Sequence, residues 1–302
     1  MKLKNFLLFV PLMGTVAAGC SKSEGPEPTQ KPDPVQEKWE IKISPSMESL
    51  TKATDFGFET GDKIGLYVVN YSGSTAGTLQ TSGNHVDNMR FTYSGTWTPD
   101  SPIYWLDKET HADFYLYYPY RQISDVSAVA IETSTDQSKE ANYKSADFMT
   151  GKATNMAPSD DVISISTRHI LSRINISLAA GNGFTAETLK NSNIDVKING
   201  ILTKANVNLA NSQISNLENK SSITPYKYGE TYRAIVIPQT VEEGNLITVT
   251  VDGRDFNLNK GFTFETNKEH NFTVTLSRTS NGINVNINPW ENDGTDNGGV
   301  AE

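Results

Sequence analysis

Asp113-Phe114-Tyr115-Leu116-Tyr117-Tyr118-Pro119-Tyr120 is the stretch that decides the fold. Phe114, Leu116 and Tyr118 alternate with period two, which on a pleated strand places them on one face, and Pro119 cannot continue a hydrogen-bonded ladder. The same pattern recurs outward in both directions. Trp39, Ile41 and Ile43 form one such set, and Ile64, Leu66 and Val68 form another after a Gly61-Asp62 turn. Downstream it returns in Ile174, Ile176 and Leu178, in Ile194, Val196 and Ile198, in Ile247, Val249 and Val251, and in Phe272, Val274 and Leu276. The cleanest case is Ile283, Val285 and Ile287, with Asn284, Asn286 and Asn288 between and after them. Gly181-Asn182-Gly183, Glu243-Gly244-Asn245 and Asp252-Gly253 supply turns between runs. Only Thr185 to Lys190 reads as a short helix or turn. Many short strands without strand–helix–strand alternation predict an all-β protein built from antiparallel β-sandwiches.

The chain has 302 residues, enough for two cores of ordinary size. Its formal net charge of −9 repels phosphate backbones, so nucleic acid is not an expected partner. Nothing beyond the first twenty residues is long and apolar enough to span a bilayer as a helix. Those first residues have the order of a bacterial export signal: Lys2 and Lys4, an apolar run from Phe6 to Val16, then Ala17-Ala18-Gly19-Cys20. Cys20 is the single cysteine of the chain and directly follows the small residues, which resembles a lipobox although Ala17 stands where Leu is usual. Cleavage before Cys20 and acylation of its sulfur are therefore expected, and two or three acyl chains anchor stably. Residues 21–38, rich in Pro, Gly and charge, read as an extended tether.

These signals predict a signal peptide over 1–19, a lipidated Cys20 with its tether over 20–38, an N-terminal sandwich over 39–160, a C-terminal sandwich over 161–290 and an acidic, Gly-rich tail over 291–302. The boundary is placed within the polar, non-periodic segment from Gly151 to Asp161, which contains Pro158.

Motifs for hydrolases, nucleotide binding and dinucleotide binding are missing from the sequence, and one cysteine forms no CxxC site. His85, His111, His169 and His270 are far apart, so neither a metal site nor a cofactor is expected. His111 with Asp113 lacks a nucleophile or a third ligand. Asn292 to Gly299 looks like a calcium loop but lacks the Glu at its twelfth position. The aromatic residues Trp97, Tyr104, Trp105, Tyr115 and Tyr117 crowd together, and Tyr115 and Tyr117 point opposite to Phe114 and Leu116. They could pack across strands or form an exposed platform for glycans.

The segments ATDFGFETGDKIGLYVV at 53–69, PIYWLD at 102–107, DFYLYYPY at 113–120, RHILSRINISL at 168–178 and INVNINPWENDG at 283–294 together resemble the fimbrillin, or Mfa-like, lipoproteins of Bacteroidota. The resemblance implies two tandem transthyretin-like sandwiches and a subunit of a type V pilus at the outer surface, anchored in the outer membrane by lipid. It also implies that a protease removes the first strand, here Trp39, Ile41 and Ile43, and that another subunit's strand fills the groove. The family commonly offers an Arg for cleavage. This chain has Thr51-Lys52-Ala53-Thr54, which makes Lys52-Ala53 the candidate processing site. Ile283, Val285 and Ile287 are either the final strand of the second sandwich or a donor strand. The tail after Trp290 makes a poor donor, which favours a tip or accessory position. The expected role is thus a non-enzymatic, adhesive fimbrial subunit partnered by other subunits and a surface ligand, with a glycan-binding surface lipoprotein as the alternative.

Overall fold

The computed structural model describes residues 38–47 and 57–278, and the backbone of 299–301. In chain order the strands are β1 (Lys42–Met47), β2 (Lys63–Asn70), β3 (Val86–Tyr93), β4 (Trp97–Pro99), β5 (Ala112–Tyr118), β6 (Val129–Glu132), β7 (Met149–Met156), β8 (Val162–His169), β9 (Ser172–Ala180) and β10 (Ile194–Asn208). They continue with β11 (Gln213–Ile223), β12 (Tyr226–Tyr228), β13 (Thr231–Val236), β14 (Gln239–Val241), β15 (Asn245–Val251), β16 (Arg254–Asn259), β17 (Phe262–Phe264), β18 (Glu269–Leu276) and β19 (Gly299–Ala301). Two short helices, α1 (Glu140–Ser145) and α2 (Ala186–Asn191), complete the described elements.

The first sheet runs β1-β8-β7-β5-β2-β3-β4, the second β11-β10-β15-β16 with β6 also on β10, the third β12-β13-β9-β18-β19, and β14 pairs with β17. One core, including Ile41, Ile64, Phe91, Phe114 and Ile165, lies within the first sheet. A second, including Ile174, Ile198, Val249, Phe256 and Phe272, is filled from the second and third sheets, which face each other across it. Tyr67, Tyr115 and Tyr117 join Val129, Val207 and Ile237 in a third cluster, so residues of both halves share it.

Every described strand expected from alternation is present. Local chemistry acts where it was read: Asp252 and Gly253, at φ +49° and +84°, close the β15–β16 hairpin, and Thr185 caps α2 in a capping box. Three pairings depart from an antiparallel plan, because β1–β8, β9–β18 and β18–β19 are parallel. The partners in each case are distant along the chain, so no hairpin fixes their relative direction.

The segment from Gly151 to Asp161 is not a bare linker. Residues 149–156 form β7, and β8 still belongs to the first sheet, so the chain passes to the third sheet between His169 and Ser172. Strand β7 escaped the alternation reading because beyond Met149 and Thr150 its residues are mostly half-buried or exposed, while its ladder is satisfied by β5 and β8. Within the tail, Gly299–Ala301 pairs in parallel with Val274–Leu276.

Candidate functional site

The site is the slot held by β1, the first strand of the first sheet and one of its edges. Its sequence from Ile41 to Ser46 alternates buried and exposed, with Ile41, Ile43 and Pro45 inward and Lys42, Ser44 and Ser46 outward. On one side β1 runs parallel to β8, in the register Lys42↔Val162, Ser44↔Ser164 and Ser46↔Ser166. The Thr167 hydroxyl adds a hydrogen bond to the Ser46 carbonyl at 3.0 Å. On the other side the chain just before β1 is held by Ile103–Trp105: Ile41 N–H donates to the Ile103 carbonyl at 2.9 Å, and Trp105 N–H donates to the Trp39 carbonyl at 3.0 Å.

Backbone groups on a strand alternate sides, so these bonds fix the polarity of the whole segment. Trp39, Ile41, Ile43 and Pro45 turn their backbone away from β8, and Lys42, Ser44 and Ser46 turn theirs towards it. Pro45 therefore occupies a position where no ladder donor is required by β8, as an edge proline must. The floor of the slot is apolar, made by Ile163 and Ile165 of β8 together with Ile103, Trp105 and Phe114. Trp39 is half-buried at the entrance, with the Lys108 ammonium 4.8 Å from its ring centre.

At the far end of β1 a cavity is lined by Met47, Gly57, Tyr118, Tyr143, His169 and Arg173. Its walls are charged: His169 Nδ1 lies 2.7 Å from Asp147 Oδ2, and Arg173 pairs with Glu269. Burial pulls the His169 imidazole down, but the charge and hydrogen bond of Asp147 outweigh it and leave the group above its ordinary value. Burial, then Asp62, raises the Tyr118 phenol well above the usual range. Because Met47 and Gly57 bracket residues 48–56, both ends of the candidate processing segment come to this cavity.

Of the two alternatives left open for the aromatic cluster, Trp105, Tyr115 and Tyr117 take packing within the fold over an exposed platform. Trp105 is 4% exposed, Tyr115 5% and Tyr117 0%. Strand β5 has a core on each face: Phe114 and Leu116 enter the first, and Tyr115 and Tyr117 enter the cluster shared with the second half. Trp105 packs edge-on to Phe114 at 5.6 Å and donates from Nε1 to the Ser159 carbonyl at 3.1 Å. Trp97 is half-buried against Phe58 and Tyr93, and Tyr104, at 41% exposed, is the one member of the five that is open to solvent.

The histidines sit apart in separate hydrogen-bonding environments. His85 Nε2 meets the Tyr104 carbonyl at 2.7 Å, His111 Nδ1 meets Asn155 Oδ1 at 2.8 Å, and His270 Nε2 accepts from Glu265 N–H at 3.1 Å. Asp113 is turned to the Tyr71 hydroxyl and the Asn155 amide instead of to His111. Among the described residues no group of three or more His, Cys, Asp or Glu side chains could hold a metal. Cys20, Lys52, Ala53, Ile283, Val285 and Ile287 lie outside the described residues. Ile163, Ile165 and the Ile103–Trp105 grip were not singled out from the sequence, although Val-Ile-Ser-Ile-Ser at 162–166 carries the same two-residue period.

Known proteins resemble this chain in sequence and in fold. A Bacteroides uniformis protein provisionally named fimbrium subunit Fim1C is 23% identical over 302 aligned residues, covering 95% of this chain and 96% of that protein. A Bacteroides ovatus protein provisionally named fimbrium tip subunit Fim1C is 31% identical over 168 residues, covering 49% of this chain and 29% of that longer protein. Among solved structures, a provisionally named cell adhesion protein from Bacteroides uniformis superposes with a TM-score of 0.61 at 20% identity, over 81% of this chain and 94% of that one. Another from Bacteroides ovatus gives 0.62 at 16% identity, over 78% and 92%. These superpositions establish a common fold. The sequence profile described as fimbrillin-like matches residues 51–290, and the chain therefore belongs to the fimbrillin-like family.

Proposed function

We propose that the chain is a cell-surface fimbrial subunit of adhesive filaments, exported as a lipoprotein through Cys20, whose β1 slot is vacated by cleavage at Lys52-Ala53 and refilled by a strand of another subunit. The observation that carries this reading is that β1 is an edge strand whose inward side chains fill an apolar slot, joined to the rest of the fold through residues 48–56. Membership of the fimbrillin-like family and the fimbrium names of the two relatives support the setting.

Energetics make a covalent cut the natural trigger. Ile41 and Ile43 contribute roughly 1.5–3 kcal/mol each on burial. While residues 48–56 remain intact, β1 rebinds at an effective concentration in the millimolar range and stays seated. After cleavage the same strand is a dilute separate peptide and leaves. An empty slot then exposes Ile163, Ile165 and the unpaired edge of β8, which an incoming strand covers. The cut also separates the folded body from the acylated Cys20, so the body is retained at the surface through its partners. A chain that only accepts a strand ends a filament, whereas one that also lends a strand stands within it.

The test is to cleave the purified protein within 48–56 and follow both the loss of the β1 peptide and the appearance of SDS-resistant oligomers. Retention of the peptide with unchanged monomer contradicts the reading. The fimbrial reading is favoured over the glycan-binding alternative because Trp105, Tyr115 and Tyr117, three of the five aromatic residues named for that surface, are buried.

A further inference from the structure

Four large apolar side chains stand exposed among the described residues: Tyr104 at 41%, Leu106 at 57%, Val162 at 55% and Tyr228 at 46%. Single cases of this kind are ordinary on a protein surface, but three of these four gather round the start of β1. Glu40 pairs with Tyr104 in an antiparallel bridge, and the same register sets Leu106 beside Lys38. On the other side Lys42 pairs with Val162. Because Ile41, Ile103, Trp105 and Ile163 all turn into the core, Tyr104, Leu106 and Val162 share the outward face, with Lys38, Glu40 and Lys42 running between them. We propose that this patch is a docking surface for the lipid bilayer in which Cys20 is anchored, used while the subunit is still uncut. The proposal rests on the lipid-anchor part of the reading above, and the docking itself does not depend on strand exchange.

Two observations choose the bilayer as the occupant. The first is where the chain enters the fold: Lys38, beside Leu106, follows Cys20 by eighteen residues, which reach at most about 65 Å. A lipid-anchored body on so short a lead meets the surface at an effective concentration of about millimolar order, so a weak patch suffices. A patch beside the point of entry also docks without drawing the tether across the body. The second observation is composition. Leu106 and Val162 offer aliphatic groups to the acyl boundary, and Tyr104 offers a ring with a polar tip for the headgroup level. Lys38 and Lys42 have long stems that lift their ammonium groups to the phosphates. Glu40, the one acid in the row, is half-buried. In the neighbouring loop the Asp107 carboxylate is engaged by the N–H groups of Glu109 and Thr110 and by the Thr110 hydroxyl.

The patch is completed by the first strand and the residues that lead into it. On the strand-release reading, Lys38, Glu40 and Lys42 depart together with β1, and the same cut parts the body from Cys20. One event thus removes the lysines from between Tyr104 and Val162 and ends the tethering. Docking therefore belongs to the unprocessed subunit, and the cut body is free to leave the lipid surface.

The experiment uses the mature, uncut chain, whose single cysteine couples directly to a maleimide lipid in phosphatidylcholine vesicles. The same chain capped with N-ethylmaleimide is the soluble reference, and hydrogen–deuterium exchange is followed by mass spectrometry. On vesicles, peptides covering 102–108 and 160–164 should exchange roughly tenfold more slowly than in the reference, whereas the peptide carrying exposed Tyr228 should be unchanged. A triple variant, Tyr104→Ser with Leu106→Ser and Val162→Ser, should lose that protection while keeping the parent's circular dichroism, since all three side chains are exposed. Unchanged exchange at 102–108 and 160–164 on vesicles overturns the proposal, as does protection that survives the triple substitution. Protection that appears in the capped, soluble chain and grows with its concentration also overturns it and assigns the patch to a second copy. Because the coupling is chemical, the result does not depend on acylation in the cell. Protection on vesicles without fatty-acid labelling in cells contradicts the anchor, and full labelling without protection contradicts the docking surface alone.

Discussion

The ring of Tyr117 lies across the backbone of Gly65, its cross-strand partner, so closely that a Cβ at position 65 would stand 2.2 Å from Tyr117 Cε1. The glycine leaves a gap in β2 and the tyrosine fills it. The Tyr117 hydroxyl is 2.6 Å from Asn88 Oδ1 and 2.7 Å from the Arg121 carbonyl, which fixes the ring in place. Burial of the ring raises its phenol well above the usual range, so it remains a neutral donor.

Gly65→Ala should therefore be strongly destabilising for so small a change, by about 1–3 kcal/mol through overpacking. Tyr117→Phe should cost about 1–2 kcal/mol by leaving its polar neighbours unsatisfied. Urea midpoints with unchanged slopes would check both. An unaltered midpoint for Gly65→Ala would show that the Tyr117 ring can move aside freely.

Weakening the β1 side of the slot should loosen the strand without dismantling the remaining sheet. Ile43→Ala removes a buried side chain that is 6% exposed. At a cost of about 2–3 kcal/mol, loss of the β1 peptide after cleavage within 48–56 should quicken by roughly thirtyfold or more. Lys42→Ala, on the exposed face, should leave the release rate close to that of the parent. Equal rates for both variants would remove Ile43 from the role of anchor.

Two histidines impose opposite pH dependence. His169 is raised in the folded state by Asp147 against the downward pull of burial, so its stabilisation is complete below the unfolded value of about 6.5 and is lost as pH rises through the folded value. His270 is lowered, chiefly by burial, so its contribution is complete above about 6.5 and is lost as pH falls through the folded value. His169→Gln should flatten the alkaline side of this window in a stability–pH profile, and His270→Gln the acidic side. A profile unchanged by either substitution contradicts the assignment.

Replacing Cys20 by Ser should abolish fatty-acid labelling and shift the protein from the membrane fraction to the soluble fraction. Undiminished labelling in Cys20→Ser cells would place the acyl group elsewhere.

The strands were largely legible because period-two burial is written directly in the order of residues, as in Ile194-Asp195-Val196-Lys197-Ile198. What could not be read was which faces meet. Alternation left Tyr115 and Tyr117 open between packing and exposure, because it says only that they face away from Phe114 and Leu116, and the packing of β5 between two clusters decides for burial. Strand β7 is held by neighbours on both edges and carries few apolar residues, so it resembled a linker. The parallel direction of β1 against β8 depends on a contact between residues 42 and 162, which no local pattern encodes. The chemistry of the slot was legible in part: Ile41 and Ile43 were evident, whereas the Ile103–Trp105 grip is fixed by backbone bonds that any sequence could make.

The departure of β1 is tested most directly by N-terminal sequencing and mass measurement of the protein recovered from surface filaments. A subunit that begins at Ala53 and lacks residues 39–47 is the predicted result. A filament subunit that still begins at an acylated Cys20, with β1 attached, would contradict it.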